Sequence, residues 1–156
     1  MIVYRLSKGK YYNDLSGKGA EMYGGRWNSK GVALLYCAET RALCFAEVAV
    51  HLPVGITPKD YYLITIEFPR TATILELLTG DLPADLRSNP HSDSTQKIGD
   101  RFVSEGKDLV LRVPSAVVQG DYNYLINPAH KLFCDVWVVG SEPFEFDTRF
   151  FSRPQL

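Results

Sequence analysis

Residues 33–53 read Ala33-Leu34-Leu35-Tyr36-Cys37-Ala38-Glu39-Thr40-Arg41-Ala42-Leu43-Cys44-Phe45-Ala46-Glu47-Val48-Ala49-Val50-His51-Leu52-Pro53, and they set two kinds of element side by side. The apolar run 33–38 has the length of a strand. Thr40 then offers an N-cap oxygen, and 41–52 reads as a helix stopped by Pro53, with Gly55 and Pro58 beyond it. At 100° per residue, Leu43, Ala46, Ala49 and Val50 share one side while Phe45, Val48 and Leu52 cover much of the other. Glu47 and His51 are left as the strongly polar positions after the first turn. A carboxylate on a helix that is apolar nearly all round is either its one wet stripe or part of a site.

Outward from this stretch, apolar runs at 2–6, 61–68, 109–113 and 135–139 read as further strands. Within 61–68 the side chains Tyr62, Ile64, Ile66 and Phe68 fall on one face, opposite Thr65 and Glu67, which predicts a half-buried strand. The turn-forming cluster Asn28-Ser29-Lys30-Gly31 predicts a hairpin between 25–27 and 33–38, with Arg26 at its entry. Residues 94–105, with Ile98 and Phe102 four apart, predict a second helix. The segment 78–93, with Pro83, Pro90 and several Asp and Ser, reads as a mobile connection.

The chain has 156 residues, the length of about one domain, so 1–156 reads as a single unit. Hydrophobic residues at 46% and charged residues at 22% exclude a long disordered or coiled-coil chain. A net charge of −1 gives no global field for nucleic acid or an anionic membrane. Residues 1–52, however, carry seven Lys and Arg against four acids, a local +3 that suits an anion site. Three cysteines, Cys37, Cys44 and Cys134, make no CxxC pair and stand in apolar runs, which disfavours a disulfide framework and a zinc site and fits a reducing cytoplasm. Neither a leader nor a membrane-spanning run is readable. GxGxxG, GxxxxGK[ST], HExxH and GxSxG are all absent, which disfavours Rossmann redox, P-loop, zincin and α/β-hydrolase chemistry. His51, His91 and His130 are too scattered to predict a metal site.

Four polar features carry chemistry. Gly24-Gly25-Arg26-Trp27-Asn28 pairs glycines that let backbone approach a ligand with a guanidinium fork suited to phosphate; a tight turn with Arg26 stacked on Trp27 is the plainer account. Glu47 is the second. Ser115, in Pro114-Ser115-Ala116-Val117-Val118, joins two apolar runs and is otherwise a strand-end hydroxyl bonded to backbone. Asn123-Tyr124-Leu125-Ile126-Asn127-Pro128 ends in an Asn-Pro pair that reads most simply as a helix cap.

Taken in order, Tyr4-Arg5, Gly24-Gly25-Arg26-Trp27-Asn28, Leu35-Tyr36-Cys37-Ala38, Ala46-Glu47, Val113-Pro114-Ser115 and Asn123 to Pro128 resemble the RES-domain family, toxins of bacterial toxin–antitoxin pairs. The resemblance implies an α+β fold like that of ADP-ribosyltransferase toxins, with a split antiparallel sheet forming an NAD⁺ cleft and a few helices. It also implies consumption of NAD⁺ as substrate, with no further cofactor. By position, Arg26, Tyr36, Glu47 and Ser115 match the family arginine, tyrosine, glutamate and serine; Asn123 matches the family asparagine, with Asn127 as the alternative. Of these, Arg26, Glu47 and Tyr36 are the implied catalytic residues, and Arg26, Tyr36, Ser115 and Asn123 the implied NAD⁺-binding ones. The Tyr36-to-Glu47 spacing is short, as if a loop before the helix were trimmed. The implied partner is an antitoxin with an Xre-type helix-turn-helix region, which would make any DNA contact, and the apolar rim it covers is expected to include Trp27 or the Phe144–Phe146 region. A non-catalytic, aromatic-rich binding module is the competing class.

Overall fold

The computed structural model describes residues 1–53 and 55–151. Its elements, in chain order, are β1 (Ile2–Lys8), α1 (Lys18–Tyr23), β2 (Leu35–Ala38), α2 (Arg41–Ala49), β3 (Tyr61–Glu67), β4 (Ile74–Glu76), α3 (Asp93–Glu105), β5 (Val110–Pro114), β6 (Tyr122–Ile126) and β7 (Trp137–Phe144), joined by short 3₁₀ turns. Among the described residues seven strands form one sheet in the order β4-β5-β6-β2-β1-β3-β7. The fold is α+β. Every pairing is antiparallel except β4 with β5.

The sheet is nearly two. β1 pairs with β3 over seven positions and β2 with β6 over four, whereas β1 and β2 meet only at Tyr4↔Ala38. Past that pair the strands part, and Arg5 donates through Nη1 to the Asp14 carbonyl in the segment that leaves β1. This seam is the split of the sheet.

Cross-strand partners share a face, so the register sorts the core. One face carries a single cluster across both halves, with Val3, Leu35, Cys37, Ile64, Ile66, Phe68, Val110, Tyr124 and Ile126. The other face carries two. Leu6, Ala38 and Leu63 pack under Leu43 and Cys44 of α2 and the terminal Phe146 and Phe151; Leu111, Val113 and Leu125 pack under Trp27, Leu34, Leu86 and Phe102. A polar strip lies between the two, and the candidate site occupies it.

Several expectations are corrected. Residues 25–27 form no ladder with β2: they belong to a tight turn closed by Gly25 N–H to Asn28 O at 2.9 Å. The Trp27 amide, which a hairpin would use, donates instead to the Tyr36 hydroxyl at 3.0 Å. The strand expected at 135–139 begins at Trp137 and runs to Phe144, because 131–135 wind into a 3₁₀ turn capped by His130. β3 is buried on both faces, since Leu63 enters one cluster while Ile64 and Ile66 enter another. β4 and β6 were not expected. Asn127 caps no α-helix; its Oδ1 accepts from Ala129 N at 2.9 Å in the turn that follows β6. The connection 78–93 is tied down by buried Leu86, and Cys134 is exposed. Thr40 does cap α2, accepting from Leu43 N at 3.0 Å, a bond worth about 1 kcal/mol.

Burial pushes the thiols of Cys37 and Cys44 up to about 12. Because the fold favours the neutral thiol, their contribution to stability is complete below the unfolded thiol range near ~8.5 and is lost as pH rises towards about 12. Iodoacetamide should therefore alkylate Cys134 in the folded protein and spare Cys37 and Cys44 until it unfolds. Denaturation midpoints should fall progressively above about pH 9, and a Cys37→Ser/Cys44→Ser variant should show a shallower fall.

Candidate active site

Ala38 pairs with Asn123, and Tyr36 lies two residues from Ala38, so Tyr36 and Asn123 project from the same face, the one that holds the polar strip. α2 begins directly after β2 at its Thr40 cap and lies over this face, which brings Glu47 down onto the end of β6. There Asn123 Nδ2 donates to Glu47 Oε1 at 2.5 Å and Ser115 Oγ donates to the same oxygen at 2.7 Å. Glu47 Oε2 accepts no hydrogen bond among the described residues. Ser115 is buried at the end of β5, and its Oγ also accepts from Val117 N at 3.0 Å and Val118 N at 2.9 Å. Asn127 lies at the opposite end of β6, its Nδ2 bonded to Val103 O at 3.3 Å, so Asn123 is the asparagine that reaches Glu47.

The glycine-rich turn stands beside Tyr36. A Cβ at Gly25 would lie 2.7 Å from the Tyr36 hydroxyl, so a side chain there would displace the ring. That hydroxyl accepts from Trp27 N and donates to Asn28 Oδ1 at 2.7 Å, while burial pushes the phenol well above its usual range, so Tyr36 serves as a neutral donor. Asn28, fully buried, spends its amide nitrogen on the carbonyls of Ala20, Ser29 and Val32. Arg26 does not stack on Trp27. Its Nη1 donates to Leu86 O at 2.6 Å and Ser88 O at 3.1 Å, while Nε and Nη2 make no hydrogen bond among the described residues.

One face of α3 holds this turn in place, through positions three and four apart. Gln96 Nε2 donates to Gly25 O and Asn28 O at 3.0 and 3.1 Å, and Asp100 Oδ1 accepts from Ser29 N at 2.9 Å. Between them Gly99 lets the Trp27 carbonyl come so close that a Cβ would stand 1.7 Å from its oxygen. No sequence signal had marked α3 as part of the site; a glycine amid buried positions of an amphipathic helix is the one trace of it.

Trp27, expected on an apolar rim, is 3% exposed and belongs to the core, as does Phe146. Among the described residues the exposed aromatics are Tyr11, Tyr12, Tyr23, Trp137 and Phe150 instead. A hollow lined by Met1, Phe68, Pro69, Arg70, Ala72 and Ile74 packs against the cluster on the far face of the sheet and holds none of these polar side chains. Among the described residues no group of three or more His, Cys, Asp or Glu stands close enough to hold a metal ion, and no helix is long and apolar enough to cross a membrane.

The RES domain model matches residues 2–147. The chain belongs to the RES domain family. Among its relatives, this RES chain is 41% identical over 120 residues to the Prs ADP-ribosylating toxin of Sphingobium sp., covering 76% of this chain and 74% of that protein. It is 37% identical over 134 residues to Toxin Res of Yersinia enterocolitica, covering 85% and 88%. The RES fold also matches a chain from the crystal structure of the M. tuberculosis MbcT-MbcA toxin–antitoxin complex, with a TM-score of 0.74 at 20% identity over 92% of this chain and 84% of that one. The α+β architecture of the sheet is thus shared with a solved toxin–antitoxin structure.

Gly99→Ala should force the Trp27 carbonyl away from α3 and cost about 1–3 kcal/mol in denaturant unfolding, with more lost if the helix shifts. In a Trp137→Phe background, where Trp27 is the remaining tryptophan, its emission should move to longer wavelength as the turn opens.

Proposed function

We propose that this RES protein is the toxin of a toxin–antitoxin pair and that it cleaves the bond between nicotinamide and ribose in NAD⁺. The observation that carries this reading is a carboxylate at the seam of a split sheet, held through one oxygen by Ser115 and Asn123 with its other oxygen unbonded among the described residues. Nicotinamide leaves as a neutral molecule from a positively charged nitrogen, so no acid need protonate it, and one carboxylate suffices where ordinary glycoside hydrolysis uses two. As the bond breaks, positive charge spreads over the ribose C1 and ring oxygen. A fixed Glu47 carboxylate stabilises that charge more in the transition state than in the ground state.

Arg26 binds the pyrophosphate in this scheme. Its Nη1 is held by the Leu86 and Ser88 carbonyls, which leaves Nε and Nη2 as a fork for phosphate oxygens. The net +3 of residues 1–52 favours an anionic ligand there. Tyr36 packs against the nicotinamide side with its ring, since its hydroxyl is already bonded to Trp27 and Asn28. NAD⁺ is the substrate and no other cofactor is needed. The acceptor is water or inorganic phosphate, which gives a glycohydrolase or phosphorylase. Transfer of ADP-ribose to a protein is the second reading, favoured by the likeness to the Prs ADP-ribosylating toxin. The likeness to the MbcT-MbcA complex supports an antitoxin partner, for which we propose an Xre-type helix-turn-helix protein in the cytoplasm that carries the DNA contact.

Purified chain incubated with NAD⁺, with and without phosphate, should release nicotinamide and yield ADP-ribose or its 1″-phosphate by mass spectrometry; intact NAD⁺ in both would exclude hydrolysis and phosphorolysis. Glu47→Gln should lower turnover by about 10²–10³ while unfolding at a midpoint near that of the wild type. Arg26→Ala should raise KM and flatten its dependence on salt, with kcat the less affected of the two.

A further inference from the structure

The hydrogen-bond capacity of Ser115 is fully used inside the protein. A hydroxyl has one proton to donate and two lone pairs to accept with. Val117 N and Val118 N, whose only role in a hydrogen bond is to donate, occupy both lone pairs at 3.0 and 2.9 Å. The proton is thereby directed at Glu47 Oε1, 2.7 Å away. With the side chain 1% exposed, nothing remains for a ligand to bond to. Asn123 Nδ2 donates to the same oxygen, so both hydrogen-bonding positions of Oε1 are taken by protein donors.

From this valence count we infer that Ser115 is a positioning residue that acts through Glu47, and that Oε2 alone of the Glu47 carboxylate meets the ribose. This rests on the reading of Glu47 as the carboxylate of NAD⁺ cleavage. It moves Ser115 out of the group of residues that touch substrate. The turn 115–118 is then part of the machinery: by presenting two amides to one hydroxyl, it converts a freely rotating serine into a donor of fixed direction. A carboxylate held at one oxygen keeps its plane and cannot swing towards the solvent side of the cleft.

The test is a double-mutant cycle on NAD⁺ cleavage with KM and kcat separated. Ser115→Ala should lower kcat by about 10–50-fold and leave KM within about twofold, and in a Glu47→Gln background the same change should cost less than about twofold. Ser115→Thr, which keeps the hydroxyl, should recover most of kcat. A rise in KM with kcat kept, or an equal loss in both backgrounds, overturns the inference. A crystal structure of the wild-type protein with ADP-ribose does not depend on any variant folding: a ribose hydroxyl on Oε2 with none on Ser115 Oγ is expected, and a ligand bond to Ser115 Oγ overturns the inference. The functional reading fails separately, if the wild type neither cleaves NAD⁺ nor binds ADP-ribose. In that event the structure of Ser115→Ala decides the positioning role, which is overturned if Glu47 Oε1 keeps its place beside Asn123.

Discussion

The pairing of β1 with β2 at a single position, Tyr4↔Ala38, is the constraint from which the rest of the architecture follows. A full ladder there would make a flat, continuous sheet whose upper face could be covered by one apolar layer. With the two half-sheets joined at one point, that face needs two separate covers: α2 with the terminal phenylalanines on one side, α3 with the glycine-rich turn on the other. The strip between two covers is where polar groups can be buried with partners rather than against hydrocarbon. The far face, by contrast, is a single apolar cluster that spans the seam and holds the halves together.

Within the strip each polar group is fixed by another that is itself fixed. Glu47 is held by Ser115 and Asn123, Ser115 by the amides of its own turn, Tyr36 by Trp27 and Asn28, and Asn28 by three carbonyls. Buried networks of this kind are favourable only when every member is satisfied, and this one is nearly closed. The openings that remain, Glu47 Oε2 and the outer nitrogens of Arg26, are a negative and a positive group. The NAD⁺ cleavage proposed above calls for such a pair, a cation for the pyrophosphate and an anion for the positive charge that develops on the ribose.

How much of this was legible in the sequence depended on whether the signal was local. The Thr40 cap, the helix after it and the odd placement of Glu47 were readable because capping and amphipathicity act within a few residues. The ordered short motifs led to the family and, through it, to the α+β class. The hairpin expectation failed because the Asn28-Ser29-Lys30-Gly31 turn signal is real, but the amide it would have offered to a strand is captured by the Tyr36 hydroxyl. β4 is three residues long and pairs in parallel with a strand more than thirty residues away, so no local pattern announces it. β6 was obscured by the Asn127-Pro128 signal at its end. The service of α3 to the turn is wholly tertiary: Gln96, Gly99 and Asp100 look like ordinary surface and spacer residues until the Trp27 loop is laid against them.

The bonds that complete the site also close long loops in the chain. Glu47 reaches Ser115 across 68 residues and Asn123 across 76, and Arg26 reaches its carbonyls across 60 and 62. Contacts of such high sequence separation form late, because their loop-closure entropy is offset only once the intervening strands have docked. A ribosome delivers Glu47 well before Ser115 and Asn123. The nascent chain thus carries Glu47 without its partners while the 76 residues that separate it from Asn123 are made, and the network forms only when β5 and β6 join the sheet.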